Sequence, residues 1–239
     1  MEEQNGQRAI VIGTHDKGEK DVTVNLFSLE NGIISVTLKG VKNSNAKLKF
    51  AKELFLFGNF FITSKGNIVT NAEVIESFYN ISKDLKKFYG ASAILQIIKA
   101  SVMLDQPNPQ LFVNALKSLK TLCYENVSHK IVVCKFLICV FELVGLKLSL
   151  NKCSNCGGEF FASSYLSLNS GGIVCSSCRG FDAVKIEKST QTSLRLISNT
   201  PYEKLISVKI PNETTEKMLC LLTQNFNQRF NKNLNFLQF

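Results

Sequence analysis

Two pairs of cysteines constrain this chain more than any other feature of its sequence. The segments NKCSNCGGEF and GGIVCSSCRG each contain a Cys-x2-Cys pair, and 18 residues separate the two pairs. Two thiolates at this spacing can reach one ion, and four thiolates complete the tetrahedral site that zinc prefers. The pattern therefore predicts one zinc ion bound by Cys153, Cys156, Cys175 and Cys178.

The predicted zinc has a structural role, because four thiolates leave no open position for water or substrate. A segment as short as 151–180 has too little core to fold alone, so metal binding is expected to supply much of its folding energy. An iron–sulfur cluster, a redox-active pair of dithiols and unpaired thiols stay open as alternatives. The other four cysteines stand singly in apolar helical patterns and are expected in the core: Cys123, Cys134, Cys139 and Cys220.

Residues 1–80 have the pattern of a small β-barrel. Five short segments are rich in β-branched and aromatic residues: RAIVIGTH, DVTVNLFSLE, GIISVTLKG, ELFLFGNFFITS and NIVTNAEVIES. Glu30-Asn31-Gly32 is a hairpin-turn signal, since Asn and Gly tolerate positive φ. Five short antiparallel strands favour closure into a barrel, which removes exposed sheet edges. A five-stranded OB-fold is the predicted architecture, and an SH3-like barrel is the alternative.

Beyond residue 80 the apolar period becomes helical. Ser82 is predicted to cap the first helix, with Asp84 in its first turn. A later, mostly apolar helix is predicted from Ser128 to Gly145, and a long amphipathic helix from about Glu213 to Lys232.

These patterns predict an α+β multidomain protein. Its N-terminal OB-fold barrel occupies 1–80, and a helical domain comprises 81–150 together with 181–239. A zinc ribbon-like module with four cysteines, 151–180, is inserted in the helical domain.

The chain is basic, with a formal charge of +9 and a pI near 9.1. A basic balance favours an acidic partner such as nucleic acid, an anionic membrane or an acidic peptide. The barrel segment is neutral in total, whereas 81–150 carries +5, the cysteine segment +1 and 181–239 carries +3. Within the barrel, KGVKNSNAKLKFAK (residues 39–52) has five lysines and no acidic residue.

Segment 39–52 is the predicted nucleic-acid contact, because basic loops of OB-folds follow phosphates while aromatic side chains stack on bases. The predicted phosphate contacts are Lys39, Lys42, Lys47, Lys49 and Lys52. Phe50, Phe55, Phe57, Phe60 and Phe61 surround this segment, and each is expected more often in the core than on a binding face. A solvated, mobile loop is the alternative for the lysines.

No catalytic pattern stands out, and no enzymatic activity is predicted. The sequence has no phosphate-binding Gly-x4-Gly-Lys-Ser/Thr loop, no His-Glu-x2-His and two histidines, His15 and His129. The start MEEQNGQR is unlike a secretory signal. The most apolar stretch is interrupted by Lys135, Glu142 and Lys147, so no membrane span is expected. A cytoplasmic location without disulfides follows as the prediction.

Several segments together resemble the RecO family of bacterial DNA repair and recombination mediator proteins, over nearly the whole chain. They are EKDVTVNLFSLENGIISVTLKGVKNSNAKLKF, PNPQLF, CKFLICVFELVGLKLSLNKCSNCG and NFNQRFNKNLNFLQF. The spacing of the cysteines is shared with many zinc ribbons. Their position after a basic barrel and a helical block makes the resemblance more specific.

The resemblance implies an OB-fold that binds single- and double-stranded DNA, and a protein that anneals complementary strands at the nucleoid. It also implies partnership with RecR in loading RecA onto DNA coated by the single-strand binding protein SSB. In some members the acidic C-terminal tail of SSB docks on the helical domain. This chain has Lys where relatives often use Arg, and Lys meets phosphate as a point charge without the bidentate fork.

Two other classes of function stay open. The first is a basic adaptor that binds acidic peptides such as the SSB tail, with DNA binding incidental. The second is an enzyme, either a zinc-dependent hydrolase with an open metal position or a dithiol oxidoreductase.

Overall fold

The computed structural model describes residues 4–63, 67–102, 104–159, 163–167 and 169–236. The chain separates into two compact units, Met1–Cys123 and Tyr124–Phe239. In the described residues, the first unit holds a five-stranded sheet and the second holds a three-stranded sheet with Cys175 at the end of one strand.

The first unit begins with an antiparallel sheet that closes on itself. Its strands are β1 (Gln4–Lys17), β2 (Asp21–Ser28), β3 (Gly32–Leu38), β4 (Phe57–Thr63) and β5 (Val69–Glu76), in the order β3-β2-β1-β4-β5. The outer strands β3 and β5 meet through a parallel bridge, in which the Thr37 N–H donates to the Asn67 carbonyl at 2.8 Å. Closure of five strands in this order confirms the predicted OB-fold.

The barrel interior is filled by residues that alternate along the strands. In β2, Val22, Val24 and Leu26 are buried, while the residues between them are half-buried. Phe60 and Ile62 enter the same core from β4. This two-residue period is what places one face of each strand in the core.

The turn between β2 and β3 requires glycine at Gly32. This residue has φ +70°, a conformation that L side chains rarely adopt. A Cβ at this position would also lie 2.3 Å from the backbone oxygen of Gln106. The predicted Glu30-Asn31-Gly32 turn is confirmed, and the close approach explains why only glycine fits.

Three helices follow the barrel: α1 (Tyr79–Ser82), α2 (Leu85–Ser101) and α3 (Pro109–Tyr124). The prediction that Ser82 caps the long helix is wrong, because Asp84 is its N-cap. The Asp84 carboxylate accepts from the N–H groups of Lys86 and Lys87 at 2.8 and 3.2 Å. A carboxylate at this position also complements the helix dipole, which a hydroxyl cannot do.

Helices α2 and α3 pack on the barrel through aromatic rings. Phe88 of α2 meets Phe55 edge to face with ring centroids 5.5 Å apart. Phe112 of α3 contacts Phe27 at 5.5 Å and Phe57 at 5.9 Å. These contacts explain why the two helices group with the barrel in the first compact unit.

The division into 1–80, 81–150 plus 181–239, and 151–180 stays a prediction. The two compact units instead separate at the end of α3, between Cys123 and Tyr124.

The second unit combines helices with a small sheet. Its elements are α4 (His129–Leu143), β6 (Ser164–Ser167), β7 (Gly172–Cys175), β8 (Val184–Ile186), α5 (Lys188–Asn199) and α6 (Asn212–Phe230). The sheet is antiparallel in the order β7-β6-β8. Helix α4 packs against α5 and α6, and the rings of Phe141 and Phe226 lie 6.3 Å apart.

The boundaries predicted for α4 are confirmed. Ser128 is its N-cap residue, and Gly145 follows its end with φ +76°. Among the residues that the structure describes, no helix is both long enough and apolar enough to cross a bilayer.

We predict that Gly32→Ala destabilises the first unit more than Gly18→Ala. Both glycines have positive φ, but nothing lies within 4 Å of a Cβ built at Gly18. Strain alone is expected to cost about 1–2 kcal/mol at Gly18. The clash with Gln106 adds roughly 1–3 kcal/mol at Gly32. Chemical denaturation measures the free energy of unfolding of both variants. An equal loss of stability in the two would contradict the close approach of Gly32 to Gln106.

Candidate metal centre and nucleic-acid interface

The four cysteines of the two Cys-x2-Cys pairs lie together in the second unit. The sulfur atoms of Cys153, Cys156, Cys175 and Cys178 are all within 4.8 Å of one another. Cys153 is buried, Cys156 is exposed, and the other two are half-buried. Two cysteine pairs that lie 19 or more residues apart in sequence are thus brought to one point that could hold a metal ion.

Each cysteine pair sits on a tight backbone turn. At the first, the Gly157 N–H donates to the Cys153 carbonyl at 2.8 Å, with Gly157 at φ +70°. At the second, β7 ends at Cys175 and a 3-10 turn runs over Ser176–Cys178. Asn155 joins the two turns by donating its side-chain N–H to the Cys178 carbonyl at 3.2 Å.

The thiols differ in their affinity for protons. Burial, the largest influence, would raise the pKa of Cys153, but backbone N–H groups of Cys156, Cys175 and Asn155 lower it to about 6. Hydrogen bonds from Cys178 to Cys175 and Cys156 raise the pKa of Cys178 to about 12. Because clustered thiolates repel one another, all four become ionised together only beside a cation.

The donor set fits zinc. It consists of four sulfur atoms close enough to share one ion, and soft thiolate ligands in a tetrahedral set suit zinc. A bound ion would occupy all four ligands, so it would hold the two turns together and leave no position for a substrate. Zinc as the identity of the ion stays a prediction.

The lysine-rich segment 39–52 is anchored to the barrel. The Gly40 N–H donates to the Asp21 carboxylate at 2.7 Å, and the Lys42 N–H donates to the Lys20 carbonyl at 3.0 Å. Val41 and Ala51 are buried in the barrel core. A segment fixed by backbone bonds and buried side chains is ordered, which argues against a freely mobile loop.

The five lysines of this segment are not equally available. Lys39, Lys47 and Lys49 are exposed, and Lys52 is half-buried. The Lys42 ammonium lies 3.1 Å from the Asp16 carboxylate and also donates to the Gly18 carbonyl at 3.1 Å. Lys42 therefore carries less free charge than the other four.

The phenylalanines around the segment serve mainly as core residues. Phe55 and Phe60 are buried, whereas Phe50, Phe57 and Phe61 are half-buried. Phe50 packs against the barrel core and Phe57 against α3. None of the five is an exposed ring on which a base could stack freely.

Sequence reasoning missed that Lys135 is buried. This side chain is 7% exposed and donates to the carbonyls of Ile197 and Ser198, at 3.1 and 2.9 Å, in the last turn of α5. A cation suits this position because the C-terminal end of a helix is partially negative. Its place inside an otherwise apolar helical pattern is the signal that could have revealed it.

Other lysines counted in the charge of 81–150 are paired. Lys130 lies 2.6 Å from the Glu216 carboxylate, and Lys147 lies 2.5 Å from that of Glu142. Glu142 is already counted in the formal +5 of this segment, whereas Glu216 lies outside it, so the Lys130 pair and the buried Lys135 lower the charge that the segment can offer a partner.

The fold and its site define an OB-fold protein with an ordered basic segment and a four-cysteine module. The family model described as Recombination protein O N terminal matches residues 1–78, and Recombination protein O C terminal matches residues 82–236. The chain therefore belongs to the RecO family, whose role lies in DNA repair and recombination.

Curated relatives of the chain carry the name DNA repair protein RecO. The chain is 28% identical to that of Acetivibrio thermocellus, over 96% of this chain and 93% of the relative. It is 29% identical to that of Bacillus pumilus, over 92% and 86%. It is 28% identical to that of Bacillus subtilis, over 87% and 83%.

We predict about one zinc ion per chain in the wild type and much less in Cys156→Ser, because three thiolates hold the ion more weakly than four. Cys220→Ser is the matched control and is expected to keep its zinc, since Cys220 lies outside the cluster. Elemental analysis after exhaustive dialysis gives the content. Iron with visible absorbance, or zinc retained in Cys156→Ser, would contradict the assignment.

Proposed function

We propose that this chain is a non-enzymatic DNA-binding recombination mediator in DNA repair. It binds single- and double-stranded DNA, anneals complementary strands and, with RecR, helps to load RecA on SSB-coated DNA. The observation that carries the proposal is the ordered lysine-rich segment on an OB-fold barrel, together with family membership. The proposed phosphate contacts are Lys39, Lys42, Lys47, Lys49 and Lys52.

Anchoring of the segment makes it a better phosphate contact. The backbone between Lys39 and Lys52 is already fixed, so less conformational freedom is lost when DNA binds. Lys42 contributes mainly by holding the segment against the turn between β1 and β2. The exposed ammonium groups of its neighbours then face solvent, where phosphates can approach them.

The charge predicts how binding responds to salt. Each phosphate neutralised by a lysine releases counterions, so affinity falls as salt rises and depends little on sequence. Annealing requires no covalent step, because a basic surface lowers the repulsion between two strands.

Partners other than DNA follow from the family. We propose RecR as a direct partner, RecA as an indirect one, and the acidic SSB tail as a ligand of the helical region. The zinc ion has a structural role in this proposal, and the protein acts in the cytoplasm at the nucleoid.

A basic adaptor is the second candidate, and the positive charge outside the barrel favours it. Residues 181–239 carry a formal +3, and several of their lysines are exposed. An adaptor would bind acidic peptides tightly and DNA weakly at physiological salt.

We predict that a variant with four lysines of the segment replaced by Gln binds a single-stranded oligonucleotide more weakly. The four are Lys39, Lys47, Lys49 and Lys52. Each phosphate contact contributes about 0.7 to the slope of log K against log salt, so the slope is expected to fall by about 2.8. Fluorescence anisotropy over several salt concentrations measures both quantities.

The matched control replaces Lys120, Lys188, Lys204 and Lys232 by Gln, which removes the same charge at exposed positions elsewhere. It is expected to change the slope much less. Equal effects of the two variants would show that only net charge matters and that segment 39–52 is not the contact. Tight binding of an acidic peptide with no DNA binding at low salt would favour the adaptor.

A further inference from the structure

A fully exposed aromatic ring stands shortly after the fourth cysteine. Phe181 is exposed over its whole side chain, three residues after Cys178. The barrel phenylalanines near the basic segment are buried or half-buried, so they offer no comparable ring. Phe181 gains nothing from the core at this position, and a fully exposed ring offers a face on which a base can stack.

The turn that presents Phe181 is fixed by hydrogen bonds. The Asp182 carboxylate accepts from the Ser167 hydroxyl at 2.9 Å and from the Asn169 N–H at 3.0 Å. The Ala183 N–H donates to the Gly180 carbonyl at 3.2 Å. The ring is therefore presented by an ordered backbone and is itself fully exposed.

Cations and a second ring lie in the same module. The Arg179 guanidinium stands 5.4 Å from the Tyr165 ring centroid and donates to the Tyr165 hydroxyl at 3.1 Å. Tyr165 on β6 pairs directly with Lys185 on β8. Directly paired residues of antiparallel strands share one face of the sheet. We call Tyr165, Arg179, Phe181 and Lys185 the stacking platform.

Two acidic groups that adjoin the platform in sequence, Asp182 and Glu187, are already engaged. Asp182 binds the turn, and the Glu187 carboxylate lies 2.8 Å from the Lys217 ammonium. What the platform offers a ligand is therefore aromatic and positive. That combination suits single-stranded nucleic acid, whose bases stack on rings and guanidinium planes while its phosphates meet cations.

We propose that the stacking platform is a second single-stranded DNA site, where Phe181 stacks on an unpaired base and Arg179 and Lys185 meet the adjoining phosphates. This inference rests on the proposed DNA-binding function and adds a surface to it. The barrel segment and the platform belong to different compact units, so the chain has two separate contacts for DNA. A protein that anneals strands needs contact with two of them.

The cysteine cluster supports the platform. Cys178 directly precedes Arg179, and its carbonyl accepts from Asn155 of the first turn. An ion bound by the four thiolates would hold this turn in place and, with it, the start of the segment that carries Phe181.

The test compares two oligonucleotides of equal length, one with bases and one with abasic sites throughout. Phe181→Ala is expected to weaken binding to the base-bearing strand about tenfold, because base stacking is lost. It is expected to leave binding to the abasic strand unchanged. Phe181→Trp, which keeps an aromatic ring at this position, is expected to bind the base-bearing strand as tightly as the wild type does. Leu196→Ala, which also shortens an exposed apolar side chain in this unit, is the matched control and changes neither affinity.

Three outcomes would overturn the platform. The first is wild-type affinity of Phe181→Ala for the base-bearing strand. The second is an equal loss on both strands, which would mean that stacking is not involved. The third is unchanged DNA binding with loss of RecR from a pull-down, which would make Phe181 a protein contact.

The four-lysine barrel variant, measured alongside, separates the two proposals. If the wild type binds neither oligonucleotide, the proposed function fails and the platform fails with it. If the barrel variant loses affinity and Phe181→Ala does not, only the platform is wrong.

Discussion

A parallel bridge between Thr37 and Ile68 closes the barrel on which the first unit depends. In this bridge the N–H of Thr37 reaches the carbonyl of Asn67, and without it the facing edges of β3 and β5 would not be joined. The Lys17 ammonium, from β1, donates to the hydroxyl of the same Thr37 at 3.1 Å. Because Lys39 follows two residues later, barrel closure also determines where the lysine-rich segment begins.

Not every lysine that is counted in the formal net charge of this chain can offer its charge to a partner. Three lysines of this chain have structural roles. Lys17 bonds to Thr37 where the barrel closes, Lys42 anchors the lysine-rich segment, and Lys135 binds the carbonyls at the end of α5. Their ammonium groups are bonded to protein oxygens rather than to solvent alone. The charge that a partner can meet therefore lies on the lysines that stay exposed, and Lys39, Lys47 and Lys49 of segment 39–52 are among them.

Local chemistry decided which features the sequence could predict. The cysteine spacing and the turn at Gly32 are short-range signals with strict geometry, so both were predictable. The sequence could not decide between Ser82 and Asp84 as the helix cap, because both residue types suit an N-cap and they lie only two residues apart. The burial of Lys135 and the exposure of Phe181 depend on contacts across the second unit, which no local pattern contains.

The burial of Lys135 also has a use in solution chemistry. An amine-reactive reagent modifies lysines that water can reach, and this ammonium is enclosed by carbonyls in the last turn of α5. Lys135 therefore acts as an internal standard, since its modification reports unfolding rather than loss of a ligand. When a bound polyanion protects another lysine from the reagent, the modification of that lysine can be compared with the modification of Lys135 in the same proteolytic digest.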